Sequence, residues 1–192
     1  MPRLMIIVGS TRPGRVGIKV AEWVRERAEE RGDFEIDFAD LKEIDLPLLD
    51  EPKHPRMREY EHEHTHRWSR RVDAADAFVI VHPEYNFGIN GATKNAIDFL
   101  HHEWKDKPVA LVSYGGVSAG QRAANQLYPV LATLGMITAG SVPIPFIKNF
   151  LNDDGELEPN EDMEDGLSGV LDDLTRYEEA LRPLRERELL PA

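Results

Sequence analysis

Cysteine is absent from all 192 residues. That removes disulfides, thiolate nucleophiles and cysteine-ligated metal or iron–sulfur centres, and it suits a reducing, cytoplasmic setting. No apolar run approaches the roughly 20 residues of a membrane span. Met1-Pro2-Arg3 passes directly into an apolar run, which leaves no space for a signal peptide. Positive charge is scarce: 23 Lys and Arg face 35 Asp and Glu, a formal net charge of −12. Non-specific nucleic-acid binding calls for the opposite sign. An anionic ligand must be met by local cations or backbone N–H groups, against the overall field. Neither GxxxxGK[ST] nor GxGxxG occurs, which excludes a nucleoside-triphosphate loop and a dinucleotide fingerprint. No Ser/His/Asp or paired-carboxylate constellation stands out, so no catalytic acid, base or nucleophile is expected.

What is present is the composition of one soluble globular domain over residues 1–192, 41% apolar and 30% charged. Apolar runs at 4–8, 77–81 and 109–113 read as buried strands, and 137–144 as a weaker one. Phe34, Ile36 and Phe38 alternate with Glu35 and Asp37, the pattern of a half-exposed edge strand. Between the strands, apolar residues recur at spacings of three and four. The spacing predicts helices over 17–31, stopped by Gly32, over 65–75, from near Gly91, over 118–134, and from about Met163. Pro129 should kink or split the helix over 118–134. Residues 45–58 hold three prolines and read as an irregular connection. Strands alternating with helices imply an α/β, three-layer, flavodoxin-like domain with a five-stranded parallel sheet in the order 2-1-3-4-5.

In open α/β sheets ligands bind beyond the carboxyl ends of the strands, so three loops matter. The first, residues 9–17, carries Ser10, Thr11, Arg12, Arg15, Val16 and Gly17. A helix N-terminus offers unpaired N–H groups, to which hydroxyls and guanidinium groups add donors for a phosphate. An ordinary turn with solvated arginines remains the alternative. The second, in the stretch HPEYNFGINGATKNAIDFL at 82–100, presents Pro83, Glu84, Tyr85, Asn86 and Phe87. A rigid turn can bond the polar edge of a flat heterocycle while an aromatic covers its face; the alternative is that Tyr85 and Phe87 only pack while Asn86 caps a turn. The third follows the strand at 109–113 with Ser113, Tyr114, Gly115 and Gly116, where paired glycines let backbone approach a planar ligand. A plain tight turn with Ser118 as N-cap is its alternative. Together, on neighbouring strands, the loops describe a mononucleotide with an extended planar base.

GSTRPGRVG, HPEYNFGINGATKNAIDFL and SYGGVSAG, in this order and spacing, resemble the NADPH-dependent FMN reductase family over roughly the first 150 residues. The resemblance implies a flavodoxin-like fold, non-covalent FMN, NADPH or NADH as co-substrate, and a small acceptor such as a flavin, quinone, azo dye or chromate. It implies that Ser10, Arg12 and the residues to Gly17 hold the FMN phosphate. Pro83 to Asn86 would meet the ribityl chain and ring, largely through backbone, and Ser113 to Gly116 would border the ring. It also implies a homodimer or homotetramer. The chain departs from the family at Arg15 or Val16-Gly17, where many members carry serine, and at Thr93, where leucine is usual. A flavodoxin-type electron carrier and a non-flavin module of the same fold are the competing expectations.

Other features read as structural. His62, His64 and His66 would share a face on a strand, but at a helix start residues two apart diverge, so no metal site is expected. Asp40 and Asp45 read as solvated, Asn95 and Asp98 as packing or capping residues, and Trp23, Trp68 and Trp104 as core or interface residues. The acidic loop at 152–165 carries no role.

Overall fold

A computed structural model describes residues 1–188. Six strands form the sheet: β1 (Arg3–Val8), β2 (Glu35–Asp40), β3 (Ala77–Tyr85), β4 (Gly88–Ile89), β5 (Pro108–Tyr114) and β6 (Ile137–Ile144). Five run parallel in the order β2-β1-β3-β5-β6, and β4 folds back antiparallel on the end of β3. The expected 2-1-3-4-5 order is thus realised, with a short hairpin added where loop two was expected.

Among the described residues six α-helices flank the sheet: α1 (Gly17–Arg31), α2 (Leu41–Ile44), α3 (Glu63–Asp73), α4 (Gly91–Asp98), α5 (Gln121–Thr133) and α6 (Glu161–Glu188). Side-chain alternation along each strand separates two cores. Leu4, Ile6 and Val8 of β1 and Val79 and Val81 of β3 pack against Val20 and Val24 of α1 and Leu167 and Leu174 of α6. Met5, Ile7, Phe78 and Ile80 face Trp68 and Val72 of α3, Ile97 of α4 and Leu127 and Leu131 of α5. Trp23, Trp68 and Trp104 are all buried in these layers. No helix among the described residues is long and apolar enough to cross a membrane.

Three local expectations change. Pro129 does not split its helix: α5 runs unbroken through it. One lost N–H bond is outweighed by the buried face of Ala123, Ala124, Leu127 and Leu131. The helix begins at Gln121, with left-handed Gly120 (φ 77°) as N-cap in place of Ser118. The acidic loop gains a role as the counter-charge to α1. Lys19 meets Glu156 at 2.9 Å, while Arg27 and the Trp23 indole bond Glu164 at the start of α6. Three acidic residues there (Glu161, Asp162 and Glu164) also complement the positive end of the α6 dipole.

Candidate functional site

Because β1, β3 and β5 are adjacent and parallel, the loops that follow them open on one edge of the sheet. Loop one is fastened at its root. The Gly9 amide donates to the Val81 carbonyl at 2.8 Å, and the Asn90 side-chain amide donates to the Gly9 carbonyl at 2.6 Å. Only glycine fits, since a Cβ at Gly9 would stand 2.2 Å from Thr93 Oγ1. Thr93, the departure from the family pattern, is therefore buried beneath this loop, where its Oγ1 and the Asn90 Oδ1 have no hydrogen-bond partner.

Within loop one the expected residues divide. Ser10 is buried and its hydroxyl shares a 2.9 Å hydrogen bond with the Tyr85 hydroxyl, joining loops one and two. Thr11 and Arg12 are exposed, and the Arg12 guanidinium lies 5.9 Å from the Tyr85 ring centroid, with no carboxylate partner among the described residues. Arg15 turns inward. It forms a two-pronged salt bridge with Asp40 at the end of β2 and donates to the Ser10 carbonyl at 2.7 Å. Asp40 is consequently not solvated, contrary to the sequence expectation. It is buried, paired with Arg15, and caps α2 through the Lys42 amide at 2.9 Å. Arg15 thus braces the loop, and Arg12 is its open cation. Val16 is the N-cap of α1, which has no side-chain cap and no acidic residue in its first turn. Its leading N–H groups remain available to an anion.

Loop two is a tight hairpin. Tyr85 pairs with Gly88 across Asn86 and Phe87, both exposed. Pro83 is buried and paired with Tyr114 in the sheet. The Glu84 side chain turns toward loop three and the start of α5. It accepts from the Ser118 hydroxyl and the Arg122 amide at 3.0 Å each and from the Arg122 guanidinium at 2.8 Å. Burial pushes this carboxyl up, but the bonds from Arg122 and Ser118 prevail and hold it below the ordinary carboxylate range. Glu84 is thereby the tie between loops two and three. Loop three has buried Ser113 donating to the Ala119 carbonyl at 2.8 Å, leaving Gly115 and Gly116 at the surface. Burial raises the Tyr114 hydroxyl well above its ordinary value. It stands where a Cβ on Gly17 would come within 2.2 Å, so glycine at 17 lets α1 approach Tyr114.

Sequence reasoning missed four contributors. Asp40, Asn90, Arg122 and Gln126, which bonds the Phe87 carbonyl and the Ile89 amide, act through loops that other residues form, and only their positions in the fold bring them near. A cavity of about 530 Å³ adjoins Thr11, walled by Leu41, Leu46, Leu48 and Ala92, with Lys42 and Asn95 at its margin. Asn95 pins this wall by donating to the Pro47 carbonyl and accepting from the Leu49 amide. A larger cavity, about 850 Å³, opens by Met1, Arg58 and Lys107 at the opposite end of the sheet. Its cations are engaged within the fold. Lys107, pushed down to about 8 by burial, caps the Val72 and Asp73 carbonyls, and Arg185 pairs with Glu178. Of the three histidines only His66 turns away, onto the Tyr60 ring; His62 and His64, expected to diverge, stack with ring centroids 5.2 Å apart beside Asp50, because His62 lies just before the helix in extended backbone.

Residues 2–148 match the family described as NADPH-dependent FMN reductase. An NAD(P)H-dependent FMN reductase from Schizosaccharomyces pombe is 40% identical over 144 residues, covering 74% of this chain and 72% of its own. An NADPH azoreductase from a Bacillus species is 29% identical over 188 residues, 96% of this chain and 97% of its own. Among solved structures, the flavoenzyme NAD(P)H:(acceptor) oxidoreductase FerB from Paracoccus denitrificans superposes with a TM-score of 0.71 at 26% identity, over 94% of this chain and 98% of its own.

Proposed function

Because the chain belongs to the NADPH-dependent FMN reductase family and is an FMN-dependent NAD(P)H oxidoreductase, we propose that the three loops on β1, β3 and β5 form its cofactor site and pass electrons to a small acceptor such as a flavin, quinone or azo compound. The observation that carries this reading is the pairing, on one sheet edge, of an uncapped 15-residue helix, preceded by a loop whose Arg12 has no carboxylate partner among the described residues, with two glycine- and aromatic-containing loops. The donor set suits FMN. A phosphate dianion is matched by the free N–H groups of α1, the Ser10 and Thr11 hydroxyls and Arg12. A planar ring is matched by the backbone from Pro83 to Phe87 and by Gly115 and Gly116. Bound FMN supplies the hydride-accepting and electron-donating chemistry of a ping-pong cycle.

The protein's own part is binding and placement. Arg12 offsets phosphate charge in a chain whose net charge would otherwise repel it. Arg15 and Asp40 fix the loop from which Arg12 projects. The Ser10–Tyr85 bond sets loops one and two at one spacing, and Glu84 does the same for loops two and three. We assign no acid or base role to the side chains of these loops. The open edge is completed by a second copy in a homodimer or homotetramer, and the cysteine-free composition fits a cytoplasmic protein. The test is anaerobic: protein loaded with FMN should bleach on addition of NADPH or NADH and recover colour with a quinone. Failure to take up FMN, or retention of yellow colour under excess reduced nucleotide, rejects the assignment.

A further inference from the structure

The turn between β3 and β4 carries a burden that packing does not relieve. Asn86 and Phe87 are both left-handed, at φ 49° and 68°, the geometry of a two-residue hairpin turn in which glycine is favoured at the second position. A phenylalanine there occupies backbone space that bulky L-residues seldom adopt, and its side chain is 65% exposed. Glycine would relieve both penalties. Yet α5 commits two side chains to holding Phe87 in place. Gln126 donates to the Phe87 carbonyl at 3.0 Å and accepts from the Ile89 amide at 3.3 Å. The Arg122 guanidinium lies over the Phe87 ring, 3.8 Å from its centroid.

Arg122 retains capacity for a ligand. One of its five N–H donors bonds Glu84, whose carboxylate is itself sunk in the protein at 8% exposure, while the Arg122 side chain is 42% exposed. The outer edge of the guanidinium therefore faces solvent beside an open aromatic ring. A flat ring bearing an anionic group satisfies both, the ring against Phe87 and the anion on Arg122. We propose that Phe87 and Arg122 form a specificity subsite for such a ligand at the rim of the loop-two site, an inference that rests on the reading of that loop as part of the FMN site. Two ligands share this chemistry: an acceptor carrying a sulfonate or carboxylate, and the phosphates of the reduced nicotinamide nucleotide.

The two half-reactions separate them. Anaerobic stopped-flow measures flavin reduction by NADPH, and then reoxidation by menadione and by 1,2-naphthoquinone-4-sulfonate, in wild type, Arg122→Gln and Phe87→Gly. With an anionic acceptor as ligand, Arg122→Gln lowers the sulfonate rate about tenfold relative to menadione, the loss of one bond to a charged group, and changes reduction by NADPH no more than it changes reoxidation by menadione. If the anion is the nucleotide's phosphate, reduction slows and the acceptor ratio holds. Phe87→Gly raises the melting temperature while slowing the same half-reaction. Rates within twofold for both variants, or a lower melting temperature for Phe87→Gly, overturn the subsite. Retained FMN absorbance in those variants confines the failure to the subsite, whereas a wild type that takes up no FMN overturns the FMN reading and the subsite with it.

Discussion

Mild acid should destabilise this protein through one side chain, His82. It ends the apolar run of β3, on the face shared with Phe78 and Ile80, and is completely buried. Its Nε2 has no hydrogen-bond partner, and Nδ1 has only the Pro83 carbonyl at 3.3 Å. Burial pushes the imidazole down from 6.5 to about 4, against weaker support for the charged form from the Pro83 carbonyl and Glu84. In the unfolded chain His82 titrates at its ordinary value of about 6.5. The folded value is the lower one, so between the two the unfolded chain holds a proton that the folded protein refuses. Stability is then fully present above about pH 6.5 and drains away as pH falls toward 4. At about 1.36 kcal/mol per pH interval of separation, the loss from this group is about 2 kcal/mol at pH 5 and roughly 3 kcal/mol below pH 4. Urea unfolding at pH 7, 6 and 5, run in parallel on wild type and His82→Leu, isolates the effect because the carboxylates titrate in both. The stability difference between the two proteins should swing by about 2 kcal/mol in favour of the leucine variant across that range. Parallel pH profiles would refute the assignment.

Arg12→Ala should weaken FMN at least about tenfold, as loss of a charge-assisted phosphate contact implies, and leave riboflavin affinity within about twofold. Flavin fluorescence quenching reads both, and equal losses reject the phosphate role. Asp40→Ala strands the nearly buried Arg15 and uncaps α2, at a cost of about 3–5 kcal/mol in chemical denaturation. Adding Arg15→Met should recover part of that loss, and a single-mutant cost below about 1 kcal/mol argues against the brace.

Much of the fold is legible because periodicity alone marks it. The helix expected over 17–31 is α1 to the residue, with left-handed Gly32 closing it. Strand β2 sits at the sheet edge with Ile36 and Phe38 only partly covered, as their alternation with Glu35 and Asp37 predicts. Pro129 does not break its helix, because a proline's local penalty carries no information about the buried face that overrides it. The site is less legible than the fold. Glycine patterns and loop order indicate where a ligand could lie, but not which way a side chain turns. Arg12 and Arg15 are three residues apart and chemically alike; only the end of β2, brought alongside β1, turns Arg15 onto Asp40 and leaves Arg12 open. Likewise Glu84 finds Arg122 across 38 residues of chain, a pairing that no local spacing announces.

The parallel order of the sheet also sets when the proposed three-loop site can be complete. The loops on β1, β3 and β5 become neighbours only after Val8 lies beside Val81 and Val81 beside Val112. Each pairing closes a long stretch of chain through a helical crossover, the slow kind of contact in folding. Loops one and two come together with the first pairing, whereas loop three joins them only with the second. A growing chain must therefore emerge past β5 before the three-loop edge is whole, so most of the sheet has to pair before a ligand held by all three loops can add to its stability.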